Sequence, residues 1–174
     1  MAERMTKYKW FWAWEFDKEE RWLDEMAAEG WALAEAGWCR FVFERCEPGE
    51  YYVRLEMRPY DEDYISFMEE TGAEYIGRCF QWQYFRKKSE FGRFDLFSDL
   101  DSRISHCGRI YRQLLAIGGA NLAIGTANLI LGIHSTMNSM TAILNLFVAT
   151  LLMYGVGRMK GKMEYLENER KLRE

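Results

Sequence analysis

Catalysis in a chain of 174 residues needs acids, bases, nucleophiles or metal ligands in workable groups, and few candidates are present. There are four cysteines (Cys39, Cys46, Cys79, Cys107) and two histidines (His106, His134). No two cysteines form a CxxC pair, so zinc is not expected. His106 and Cys107 are neighbours, but adjacent residues on a helix point about 100° apart and cannot meet as base and nucleophile. The sequence has no GxxxxGK[ST], no GxGxxG after a strand, no HExxH and no GxSxG. No catalytic residue, metal or cofactor is therefore assigned. The carboxylates of Asp61-Glu62-Asp63 and Glu69-Glu70 fall at a helix start and on an outer helix face, where water and the helix dipole favour them. Glu15 and Glu44 lie in predicted strands, and semi-burial there would raise their pKa.

The chemistry on offer is aromatic. From Tyr8 to Phe16 every even position is Tyr, Trp or Phe, the period of a strand. Trp10, Trp12 and Trp14 then share one face. If helices cover the opposite face, the row is an exposed binding platform. If helices cover the row itself, it is core.

The elements that must position this row read as follows. Asp17 caps a helix over Lys18–Glu29, with Glu20 completing a capping box and Trp22, Leu23, Met26 and Ala27 as its apolar face. Gly30 suits the left-handed exit. Strands follow at Trp31–Ala34, Cys39–Cys46 and, after the Glu47-Pro48-Gly49-Glu50 turn, Tyr51–Met57. Pro59 ends that strand. Asp61 caps a second helix over Glu62–Thr71, which exits at Gly72 into strands Glu74–Phe80 and Gln81–Lys88. Leu23, Met26 and Gly30 have the same spacing as Ile65, Met68 and Gly72. Such a repeat predicts an α+β, ferredoxin-like split-βαβ domain over residues 1–90, with a four- or five-stranded antiparallel sheet and two helices.

Charge divides the chain in two. Residues 1–100 carry 14 basic and 22 acidic side chains (net −8), whereas the remainder carries 9 and 5 (net +4). A soluble half this acidic is expected to repel nucleic acid and anionic lipid. Between Arg112 and Arg158 there is no Lys, Arg, Asp or Glu for 45 residues. Leu114–Ile133 and Thr141–Gly157 match a hydrocarbon core of roughly 30 Å at about 1.5 Å per residue, and predict a transmembrane hairpin over 114–157. Residues 91–113 read as a linker and juxtamembrane helix, and 158–174 as a helical tail. Arg103, Arg109, Arg112, Arg158, Lys160 and Lys162 flank the spans, while the His134–Met140 turn has no charge. Basic flanks stay cytoplasmic, so both termini are expected in the cytosol of a multi-pass inner-membrane protein. No apolar signal segment opens the chain, and the cysteines would sit in a reducing compartment. Gly118, Asn121, Gly125, Asn128 and Gly132 form a small and polar stripe. It is expected to pack on Thr141, Asn145 and Ala149 of the second span or on another copy, with Asn amides bonding across. A polar path for a solute is the functional alternative for that stripe.

The segments Lys7-Tyr8-Lys9-Trp10-Phe11-Trp12-Ala13-Trp14-Glu15-Phe16-Asp17-Lys18-Glu19, Trp22-Leu23-x-x-Met26-Ala27-x-x-Gly30-Trp31-x-Leu33 and Gln81-Trp82-x-Tyr84-Phe85-Arg86-Lys87 resemble the domain-of-unknown-function family 2812. Phe97-Ser98-Asp99-x-x-Ser102-Arg103 fits its pattern too, and the likeness spans roughly residues 6 to 113. The resemblance implies a bacterial, membrane-associated protein, often encoded beside a PadR-type regulator. It implies no activity and no catalytic residues. The reading that joins these expectations is a membrane-anchored cytosolic sensing or protein-interaction module with the bilayer, a protein partner or a homo-oligomer as its contacts. A small subunit of a transport or other membrane complex is the alternative, and an enzyme the third.

Overall fold

The computed structural model describes residues 3–97, 99–131 and 136–173. The chain forms two compact units, 1–98 and 99–174. The first contains β1 (Arg4–Tyr8), α1 (Phe16–Ala28), β2 (Trp31–Gly37), β3 (Arg40–Arg45), β4 (Tyr51–Met57), α2 (Glu62–Glu70), β5 (Ala73–Cys79) and β6 (Trp82–Lys88). It is α+β, built twice from β-α-β-β. In each copy the last strand lies between the other two, giving antiparallel sheets β1-β3-β2 and β4-β6-β5. Two three-stranded sheets therefore replace the single sheet of four or five strands expected from the sequence. The period and turns of each strand are local properties, but the inserted strand comes from its own copy, which no local pattern records.

The duplication extends to irregularities. Register shifts occur between Leu33 and Glu35 in β2 and between Tyr75 and Gly77 in β5, at corresponding positions. Gly30 and Gly72 both close their helices with positive φ, 83° and 84°. At Gly30 a Cβ would stand 3.1 Å from the Cys46 carbonyl oxygen, so both backbone conformation and space call for glycine. Phe43 and Phe85, again corresponding, are fully buried in the core with Leu23, Leu33, Val53 and Leu55.

Polar side chains tie the copies together. Arg86 on β6 donates from Nε and Nη2 to Glu74 (2.7 and 2.9 Å), and from Nη1 to Glu44 on β3 (2.7 Å) and the Leu33 carbonyl on β2 (2.9 Å). Glu44 is thus one arm of an ion pair linking the sheets. On the outer edge of β4, Val53 N–H donates to Asp24 (2.9 Å) and Leu55 N–H to Glu20 (3.1 Å), both on α1. These carboxylates satisfy ladder groups that an open edge would leave bare. Glu20 is therefore an edge cover rather than part of a capping box. α2 starts as expected, with Asp61 accepting from Tyr64 N–H at 3.2 Å.

The second unit is a pair of long helices, α3 (Leu100–Leu131) and α4 (Thr136–Arg173), which pack on each other. Both are long and apolar enough to cross a membrane, and most of the most apolar stretch of each is exposed on the protein. Gly118 and Gly125 are buried: a Cβ at Gly118 would meet Met153 at 3.0 Å and Leu152 at 3.3 Å, and one at Gly125 would meet Leu146 at 3.0 Å and Asn145 at 3.2 Å. Asn121, Asn128 and Asn145 are half-buried near this seam. Their amides do not bond across it. Each donates to the carbonyl four residues back on its own helix, Ile117, Ile124 and Thr141 respectively, at 2.8–2.9 Å. A backbone acceptor one turn away is reached without positioning a second helix, so the local bond wins. Gly132, the last member of the expected stripe, lies outside the described residues.

Gly125→Leu is expected to weaken the hairpin by about 1–3 kcal/mol, the usual range for overpacking a close contact. Thermal loss of helicity in detergent measures it, with Ala123→Leu on the exposed face as the control that stays near wild type. Equal melting of the two variants would refute the seam.

Candidate functional site

The segment carrying the aromatic row is not a strand. β1 ends at Tyr8 and the chain leaves the sheet after Lys9, whose N–H makes the last ladder bond, 3.0 Å to the Cys39 carbonyl. A one-turn 3₁₀ helix at Ala13–Glu15 then leads into α1, which begins at Phe16. Asp17 consequently sits inside the first turn of α1 instead of capping it. An alternation of large and small residues fits a strand, but it also fits a loop that alternately dips inward, and the winding of α1 back to Ala13 selects the loop. The corresponding connection in the second copy, between β4 and α2, runs only from Arg58 to Asp61. The aromatic row is thus the main local difference between the copies.

This loop grades from core to surface. Trp14 is 7% exposed, Trp12 is half-buried and Trp10 is 49% exposed. Trp12 and Trp14 stack with ring centroids 5.0 Å apart and planes at 2°, and Trp10 meets Trp12 edge-on at 5.2 Å. The row is neither wholly core nor wholly platform. It continues through Trp38, 5.9 Å from Trp10, to Phe80, 6.5 Å from Trp38. Trp38 and Phe80 occupy the two hairpin turns, β2–β3 and β5–β6. Cys39 and Phe80 have φ of 58° and 55°, uncommon for side chains of their kind. Both lie in two-residue hairpin turns, where the tight reversal calls for a positive φ at a central position.

Between these walls is a cavity of about 210 Å³. Trp10, Phe11 and Trp12 line it from the loop, Trp38 and Phe80 from the turns, and Trp82 from β6. Deeper in its lining are Glu19 on α1 and Tyr84 on β6, and Tyr84 Oη donates to Glu19 Oε1 at 2.7 Å. Glu19 is 8% exposed and Tyr84 4%. Burial pushes the Glu19 carboxyl up to about 7, against the hydrogen bond from Tyr84, which lowers it. Burial and then the adjacent Glu19 charge push the Tyr84 hydroxyl up. Cys79, also in the lining, is raised by burial and by Glu19, so its thiol stays protonated. Lys9 is the lining's cation, with Nζ 4.6 Å from the Trp22 ring centroid and 5.1 Å from that of Phe11.

The lining offers flat aromatic faces, one buried acid, the Tyr84 hydroxyl, the Cys39 and Cys79 thiols and the Lys9 ammonium. Among the described residues, no group of three or more His, Cys, Asp or Glu side chains is placed to hold a metal. His106 and Cys107 are both buried on α3. Of the two acids singled out from the sequence, Glu15 pairs with Lys18 at 2.5 Å and Glu44 with Arg86. The acids that burial does perturb, Glu19 and Glu20, both raised to about 7, escaped notice in a charged run, Asp17-Lys18-Glu19-Glu20, which reads as a solvated face; of the two, Glu19 lines the cavity. Trp38 and Phe80 escaped because lone aromatics in turns form no pattern. Alignment of the two copies was the signal available for the turns, since the spacing that pairs Gly30 with Gly72 and Phe43 with Phe85 also pairs Trp38 with Phe80.

These features define a small α+β unit with an aromatic-walled cavity, followed in the chain by two long apolar helices. The chain belongs to the family described as "Protein of unknown function (DUF2812)", whose model matches residues 15–118. The match includes α1, both sheets apart from β1, and the first part of α3. Comparison with curated proteins gives no match. Comparison with solved structures gives none either.

Proposed function

We propose that the chain is a membrane-anchored cytosolic sensing module whose N-terminal unit binds a small effector through an apolar ring and whose helical hairpin fixes it in a bacterial inner membrane. The observation that carries this reading is the cavity bounded by Trp10, Trp12, Trp38 and Phe80. Aromatic side chains that could have packed into the core are held instead around an opening, which is the construction of a small-molecule site. The role is regulatory, with no catalytic chemistry. Each copy retains the split βαβ arrangement of ferredoxin-like domains, now closed by its own third strand.

The membrane part is supported by what the hairpin leaves exposed. Ile124, Ile130, Ile143, Leu144 and Phe147 are each at least half accessible on the isolated chain, a surface that water does not tolerate and lipid does. Basic residues on both flanks orient both termini toward the cytosol. A periplasm-active reporter is expected to be silent after Glu174 and active when inserted near Asn138. The reverse pattern overturns the topology. For the site, Trp10→Ala and Trp12→Ala are each expected to remove retention of apolar aromatic probes by the full-length protein. Undiminished retention by both variants overturns the cavity as the site.

A further inference from the structure

We propose that the effector is an organic cation: a quaternary ammonium or hydrophobic amine with a single apolar ring, its charge set against Glu19 and its body against the aromatic wall that Trp10, Trp12 and Trp38 form. This inference rests on the cavity being the effector site and adds the chemical class of the ligand.

Size sets the first limit. A cavity of 150 Å³ holds benzene, whereas drug-sized ligands occupy roughly 300–1,000 Å³. About 210 Å³ therefore accommodates one ring and a compact head group. Charge sets the second. Several acids of this unit are matched by cations, Glu44 and Glu74 by Arg86 and Asp24 by Arg54, while Glu20 and Glu56, bonded to the Leu55 N–H and the Tyr64 hydroxyl, lie outside the cavity lining that contains Glu19. Glu19 is more buried than the three matched acids and has only a neutral donor, the Tyr84 hydroxyl; among the described residues no Lys or Arg forms an ion pair with it. A buried carboxylate in that state lacks one positive charge. Lys9 does not supply it, because its ammonium lies over Trp22 and Phe11. That contact is also evidence about the walls, since rings of this cluster already hold an ammonium. Indole faces carry the most favourable quadrupole for a cation. A cation entering beside Trp10 and Trp12 meets aromatic faces first and a carboxylate behind them.

Three probes of similar size separate the possibilities: benzyltrimethylammonium, its uncharged isostere neopentylbenzene, and the anion 3-phenylpropanoate. Binding to the full-length protein in detergent is followed by tryptophan fluorescence, with thermal stabilisation as a second readout. All seven tryptophans lie in residues 10–82, so both signals report the first unit. The cation is expected to bind at least about tenfold more tightly than its neutral isostere, the scale of one charge-specific contact of about 1.4 kcal/mol. Glu19→Gln should abolish that preference and leave neopentylbenzene binding unchanged. Trp10→Ala, at an exposed position, should weaken both. Cation affinity should rise between pH 6 and 8 as the acid ionises. The other titratable groups in the lining are Tyr84 and Cys79, both held protonated across that interval by burial, together with Lys9 and Cys39. Equal binding of cation and isostere by wild type and Glu19→Gln overturns the charge assignment and keeps the cavity as a site. Preference for 3-phenylpropanoate assigns the site to Lys9 and also overturns it. No binding of any probe overturns both this inference and the cavity reading.

Discussion

Arg86→Met is expected to destabilise the N-terminal unit by about 3 kcal/mol, toward the low end of what breaking a buried ion pair costs. The substituted side chain keeps much of the volume but leaves the Leu33 carbonyl and the inner oxygen of Glu44 without their donor. Glu74 reaches solvent with half of its side chain and is rehydrated cheaply, which is why the upper end of the range is not expected. For a domain of this size such a loss is a large fraction of total stability. The diagnostic variant is the double substitution Arg86→Met with Glu44→Met. Replacing both charges by apolar groups removes the orphaned carboxylate, so the double variant should recover most of the loss. Tryptophan-monitored denaturation measures each. A double variant no more stable than Arg86→Met alone would show that Glu44 is not the partner that matters.

Glu19→Gln has an effect whose size depends on pH. The folded carboxyl titrates at about 7 against an ordinary value of 4.5. Between those values the native state holds a proton that the unfolded chain has released, so stability falls as pH rises. The penalty is absent below about 4.5, grows through the interval and is complete above about 7. At about 1.4 kcal/mol per pH step, it reaches roughly 3 kcal/mol. Glutamine accepts the Tyr84 hydrogen bond and carries no charge. The variant should therefore match wild type near pH 4.5 and melt roughly 10 °C higher at pH 8. Glu20 is raised by burial to about 7 as well, but it is present in both proteins, so its contribution cancels from the comparison of Glu19→Gln with wild type. A Glu19→Gln variant that melts lower than wild type at pH 8 would mean that the charged form is held by something beyond Tyr84. Retaining an acid where it lowers stability at neutral pH makes sense when the acid has a ligand to meet.

What the sequence disclosed follows from the range of each signal. α2 was readable to within a residue because its start is a single side-chain bond, Asp61 to Tyr64 N–H, and its end a single glycine. β4, β5 and β6 were readable because alternation and turn residues are local. Their assembly into two sheets was not, because the copies are joined through Arg86 with Glu44 and through α1 with β4, contacts between residues far apart in sequence. The aromatic row was conspicuous but misassigned in shape, since period alone does not distinguish a strand from a loop that dips alternately. The floor of the site was invisible: the burial of Glu19 depends on Tyr84, 65 positions further along.

The hairpin bears on how the chain could transmit anything it senses. Four contacts between α3 and α4, Asp101 with Arg170, Gly108 with Met163, Gly118 with Met153 and Gly125 with Leu146, advance along one helix by the same steps as they retreat along the other. The register is unbroken from the charged ends into the apolar part. Sliding one helix past its partner by a turn, about 5.4 Å, would lift Gly118 and Gly125 off the side chains they receive and part the Asp101–Arg170 pair together. Piston motion within the hairpin is therefore disfavoured at every station simultaneously. Tilting or turning the two helices as one body disturbs none of these contacts and is the mechanically soft mode.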